Sequence, residues 1–106
     1  QKLDAPSGTA LLLADAVSEA LTEKPEYVYD RHAKKSKRSK SEIGIHSIRG
    51  GTITGEHTVI FAGENEVITI GHSAQSRQIF AAGAINAALF LIGKENGLYT
   101  MKELLG

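Results

Sequence analysis

Two β-rich runs separated by one short turn constrain this chain more than any other feature. From Glu56 to Ala62, His57, Val59 and Phe61 alternate with Glu56, Thr58 and Ile60, the period of an extended strand. Gly63-Glu64-Asn65-Glu66 breaks the pattern, and Val67 to His72 returns with Val67, Ile68, Thr69 and Ile70 in succession. This predicts a hairpin. Bulky apolar residues stand on both of its faces, so cover is expected on two sides.

Helical spacing takes over on either side of these runs. Residues Arg77 to about Ile92 form a segment apolar almost all round, with Ala81, Ala82, Ala84, Ala87 and Ala88 allowing close approach by neighbours. Such a helix is expected to be buried on all sides, which a domain of 106 residues has difficulty achieving alone. Gly93 suits the position just past its end, and Lys94 is favourable beside the last carbonyls. Thr100, with Glu103 three residues on, predicts a capping box on a final short turn and a domain end there. Upstream, Leu13, Ala14, Val17 and Leu21 recur at helical spacing from Gly8, and Pro25 stops that helix. Tyr27-Val28-Tyr29 reads as a brief extended piece. Ile43 to Ile48 reads as a strand, with Ile43 and Ile45 on one face and Gly44 and His46 on the other, before a break at Gly50-Gly51.

The chemistry concentrates at the first helix start. Pro6 fixes its own φ and pushes Ala5 toward extended backbone. Ser7 is placed to cap the helix. Gly8 and Thr9 then lie in the first turn, where unpartnered N–H groups favour a carboxylate or phosphate. Gly8 keeps the approach open, Thr9 adds a hydroxyl, and Lys2 supplies a positive charge upstream. An ordinary capped helix start has the same spacing, so the pattern alone leaves both readings open.

Composition removes several function classes. Twelve basic residues balance twelve acidic ones, giving no global field for nucleic acid or an anionic membrane. No cysteine is present, which excludes disulfides and thiolate chemistry and suits a cytoplasmic protein. The longest apolar run, Ile79 to Ile92, is interrupted by Gly83 and Asn86 and is too short for a membrane span. Arg31 to Lys40 holds six of the twelve basic residues and no acid, yet no aromatic is interleaved. It reads as a solvated flexible loop, with a loop that raises the local potential near an acidic substrate as the alternative. His32, His46, His57 and His72 make no HxH or HxxxH pair, so no metal site is expected. Glu56 and His57 are neighbours on a strand and point to opposite faces, so they do not act as an acid–base pair. Neither Gly-x-Gly-x-x-Gly nor Gly-x-Ser-x-Gly occurs.

Lys2-Leu3-Asp4-Ala5-Pro6-Ser7-Gly8-Thr9-Ala10 resembles the signature of dihydrodipicolinate reductase, a family of lysine and diaminopimelate synthesis. Gly44 to Gly51, the run Gly55-Glu56-His57-Thr58-Val59, Ser76-Arg77 with Phe80 and Gly83, and Gly97-Leu98-Tyr99 are similar to the same family. The resemblance covers nearly the whole chain but only the second half of the family's length, and nothing here resembles its dinucleotide-binding half. A start on Gln1-Lys2 is accordingly read as a truncated chain. The resemblance implies that Lys2 is the catalytic proton donor when hydride reduces the substrate ring. It implies that Gly8 and Thr9 bind a substrate carboxylate, and that Arg77 approaches the substrate and nicotinamide region. The cofactor, NADH or NADPH, would be held by the absent half, with no cofactor-binding residue here.

The fold expected is α+β: a mixed or mostly antiparallel sheet of at least three strands with helices on one face. The other face is used in oligomerisation, which the resemblance narrows to a homotetramer. Residues 1–106 are read as one substrate-binding and oligomerisation domain, taking a small-molecule dicarboxylate and neither nucleic acid nor membrane. A non-catalytic oligomerisation or ligand-binding module is the alternative.

Overall fold

The computed structural model describes residues 5–106. Two compact units divide the chain, Gln1–Thr52 and Ile53–Gly106. Helices and small sheets are both present, as the α+β reading expects.

In the first unit, α1 spans Gly8–Ala20, β1 Glu26–Val28 and β2 Glu42–Gly44. Ser7 is the N-cap of α1 in extended backbone, and its Oγ accepts the N–H of Ala10 at 3.2 Å. The helix ends at Ala20, ahead of Pro25, which has no N–H to donate to a continuing helix. The two strands are parallel, with Glu26 opposite Glu42 and Val28 opposite Gly44. Ile45 extends the pairing by donating its N–H to the Val28 carbonyl at 2.8 Å. Among the described residues of this unit, Ala14, Val28 and Ile45 are the buried apolar ones. Ile43 is half-buried while Gly44 and His46 are exposed, the division that a period of two dictates.

The second unit begins with a long hairpin, β3 at Gly55–Gly63 and β4 at Glu66–Ala74. All nine residues pair in antiparallel register, from Gly55 opposite Ala74 to Gly63 opposite Glu66. Asn65, second of the two turn residues, has φ +60°, a value asparagine tolerates better than other side chains and one that a type II turn needs there. Residues directly opposite one another share a face. One face therefore carries Val59, Phe61, Ile68 and Ile70, with His57 opposite His72. The other carries Ile60, Ala62 and Val67 together with Thr58 and Thr69.

The helix α2 spans Gln78–Leu91 and α3 Met101–Leu105. A side chain at Gly55 would meet the Phe80 ring at 3.6 Å, so the start of α2 lies over the Gly55–Ala74 end of the first face. Ala74 is buried there. Gly93 follows the helix with φ +78°, and Lys94 sets its ammonium 4.6 Å from the centre of the Phe90 ring instead of reaching the last carbonyls. Tyr99 packs edge-on against Phe90 at 6.0 Å. The expected capping box is formed: the Thr100 N–H donates to Glu103 at 2.7 Å, and the Thr100 hydroxyl also bonds that carboxylate.

Three expectations need correction. The strands form two separate pairs, not one sheet of at least three, because β1 and β2 are three residues each and bond to one another. No residue of α2 is buried, although its sequence is apolar nearly all round. Ile60 and Val67 are each 64% exposed, and Ile68 and Ile70 on the opposite face are exposed as well. The apolar pattern reports surface that the second unit does not cover by itself.

Candidate functional site

The start of α1 is capped by Ser7. Ser7 Oγ satisfies Ala10, and the Ser7 carbonyl takes the N–H of Leu11 at 3.2 Å. The N–H groups of Gly8 and Thr9 precede these and have no acceptor among the described residues. Both residues are exposed, and nothing lies within 4 Å of where a Gly8 side chain would project. Two adjacent N–H donors at the positive end of a 13-residue helix, open to solvent, favour a carboxylate.

Lys2 lies outside the described residues. Arg77 belongs to the second unit, where it is the residue before α2, exposed and helical in backbone. Its carbonyl accepts the N–H of Phe80 and Ala81, while Ser76 Oγ accepts that of Gln78 at 3.2 Å. The Arg77 guanidinium makes no ion pair among the described residues.

The structure also gathers residues that sequence spacing could not. Glu42, with a side chain only 6% exposed, faces Arg31 at 3.1 Å and Lys34 at 3.1 Å. Burial pushes its carboxyl up, but the Lys34 hydrogen bond, the Ser39 N–H and the charges of Arg31 and Lys34 together hold it below its ordinary value. Lys34 lies 3.5 Å from Glu26 as well. Part of the basic segment is thus pinned to the β1–β2 pair, a correction to its reading as a flexible loop. A shallow cavity of about 250 Å³ opens beside it, at the far end of α1 from Gly8, lined by Glu23, Lys40 and Glu42 together with Leu21, Pro25 and Ile43. His57 and His72 face each other across the hairpin, while Glu56 is on the opposite face with Ser73 Oγ donating to it at 3.0 Å. Among the described residues no group of three or more potential ligands could hold a metal ion, and no helix is long and apolar enough to cross a membrane.

The family described as "Dihydrodipicolinate reductase, C-terminus" matches residues 1–105. The chain belongs to that family. Among relatives of this dihydrodipicolinate reductase domain, the "4-hydroxy-tetrahydrodipicolinate reductase" of Caldanaerobacter subterraneus subsp. tengcongensis is 64% identical over 98% of this chain. Those of Methanosarcina mazei and Clostridium tetani are 58% and 56% identical over 100% and 99% of it. The chain spans 41%, 39% and 41% of these three relatives.

Proposed function

We propose that this chain is the substrate-binding and tetramerisation half of a 4-hydroxy-tetrahydrodipicolinate reductase, a cytoplasmic enzyme of lysine and diaminopimelate synthesis. The observation carrying this is the capped start of α1, where the Gly8 and Thr9 N–H groups stand open within the segment that resembles the family signature. They would hold one carboxylate of a planar dicarboxylate, with Thr9 Oγ1 as a further donor. Lys2 would donate the proton as hydride reaches the ring, and Arg77 would contribute its charge to the substrate region.

NADH or NADPH supplies the hydride in this reading. The described residues do not fit such a cofactor: the parallel strands β1 and β2 are joined by residues 29–41 without a helix, so no helix start faces a pyrophosphate there. The cofactor would be held by the part of the relatives' length that this chain does not span. Four copies assembling through the uncovered hairpin and α2 would bury the apolar residues left exposed in one copy.

Amide chemical-shift mapping with pyridine-2,6-dicarboxylate tests the substrate site. Gly8 and Thr9 should move first, and weakly, since only part of the pocket is here. Largest shifts within Arg31 to Lys40 would remove the site and favour a small non-catalytic module.

A further inference from the structure

We propose that the segment 35–41 is a built surface for a compact polyphosphate anion, presented by Lys35, Lys37, Arg38 and Lys40 and held in shape by Glu42. The inference goes beyond the reductase reading and does not depend on it.

Order is the first observation. Glu26 and Glu42 are register partners in the β1–β2 pair, and Lys34 reaches both, at 3.5 and 3.1 Å. Arg31 bonds Glu42 with one nitrogen and donates from the other to the Ser36 carbonyl at 2.9 Å. Ser39 Oγ accepts the N–H of Ser41 at 3.1 Å. One carboxylate thus gathers the segment from both sides, and two of the six basic residues are engaged in doing so.

The second observation is what remains. Lys35, Lys37, Arg38 and Lys40 are exposed and have no ion-pair partner among the described residues. Every side chain from Lys34 to Ser41 is a hydrogen-bond donor, and none is an acceptor only. Four like charges within six residues repel one another, so their arrangement favours a ligand that is dense in both charge and acceptor oxygens. A polyphosphate has that density. Nucleic acid fits less well, because the segment offers no aromatic ring for a base.

Calorimetry and amide-shift titration of the whole chain with inorganic tripolyphosphate at low ionic strength test this. Saturable binding is expected, with the largest shifts at residues 35–41 and about a tenfold loss in Lys37→Ala/Arg38→Ala, two exposed positions. Glu42→Gln separates a built surface from a diffuse field. It adds one unit of positive charge, so a diffuse field would bind more tightly, whereas a surface shaped by Glu42 binds more weakly. Circular dichroism shows whether that variant folds; if it does not, the double variant and the shift map decide. Shifts spread over Lys24, Lys94 and Lys102, no saturation, or tighter binding by folded Glu42→Gln would overturn the proposal. Single-stranded DNA binding more tightly than tripolyphosphate would replace it with a nucleic-acid surface.

Discussion

The Tyr27 hydroxyl donates to Asp15 Oδ1 at 2.6 Å, tying β1 to the middle of α1. That bond holds the phenol proton, and burial and the Asp15 charge act in the same direction, so its pKa is raised above 10.0. A raised folded value means the stabilisation is complete below pH 10 and is lost as pH climbs through the folded pKa. The phenolate transition missing from Tyr27→Phe should therefore lie above pH 10, and Asp15→Asn should move it down. Ultraviolet difference titration of the three proteins checks this, and a Tyr27 transition unchanged by Asp15→Asn contradicts it.

Glu42 has the opposite sign. Its carboxyl is held below the ordinary 4.5, so its contribution is present above pH 4.5 and disappears as pH falls through the lower folded value. Wild type should melt at a higher temperature than Glu42→Gln at pH 6, and the gap should close on the way to pH 3. A gap constant across that range would show that the ion pairs with Arg31 and Lys34 do not carry the difference.

Ser7 should be worth a measurable amount by itself. Ser7→Ala removes the acceptor for the Ala10 N–H and should cost about 1 kcal/mol, against a few tenths for Ser7→Gly. Urea titration followed by circular dichroism separates the two variants. A Ser7→Ala variant as stable as the wild type would mean that the cap bond is not what Ser7 contributes.

Assembly through the hairpin can be tested face by face. Val59 and Ile68 share one face, whereas Ile60 and Val67 stand on the other. Ile68→Lys and Ile60→Lys therefore probe different surfaces, which substitutions at Val59 and Ile68 would not. If the chain is tetrameric, light scattering should show at least one of the two lysine variants dissociating at about 10 μM, since a lysine buried in a contact is costly. An unmodified chain that is monomeric at that concentration would remove the tetramer.

Local chemistry made much of the fold legible. The period of two in β3 and β4, the turn at Asn65, the Ser7 cap and the Thr100–Glu103 box all depend on residues within a few positions of one another. The candidate anion site at Gly8 and Thr9 was legible for the same reason: a helix start exposes its N–H groups whatever the rest of the chain does. Arg77 was readable by resemblance alone, since its backbone role before α2 says nothing of a ligand. The apolar character of α2 misled for a physical reason. Hydropathy records which surface needs cover and not what supplies it, so an apolar helix left exposed reads the same as one buried in its own core.

Composition and spacing therefore determined the elements, their caps, the absence of thiol chemistry and the family resemblance, because each depends on residue identity or short-range geometry. Only the tertiary structure decided that His57 faces His72, that Val59 and Ile68 share a face, and that Glu42 collects Arg31 and Lys34. Those contacts depend on strand register and on how residues 29–41 close, and a shift of one residue would exchange every face. In the hairpin the register follows from the two-residue turn that pairs Gly63 with Glu66, whose placement to the residue the sequence alone left open, whereas the Glu42 contacts are settled only when β1 and β2, distant in sequence, pair.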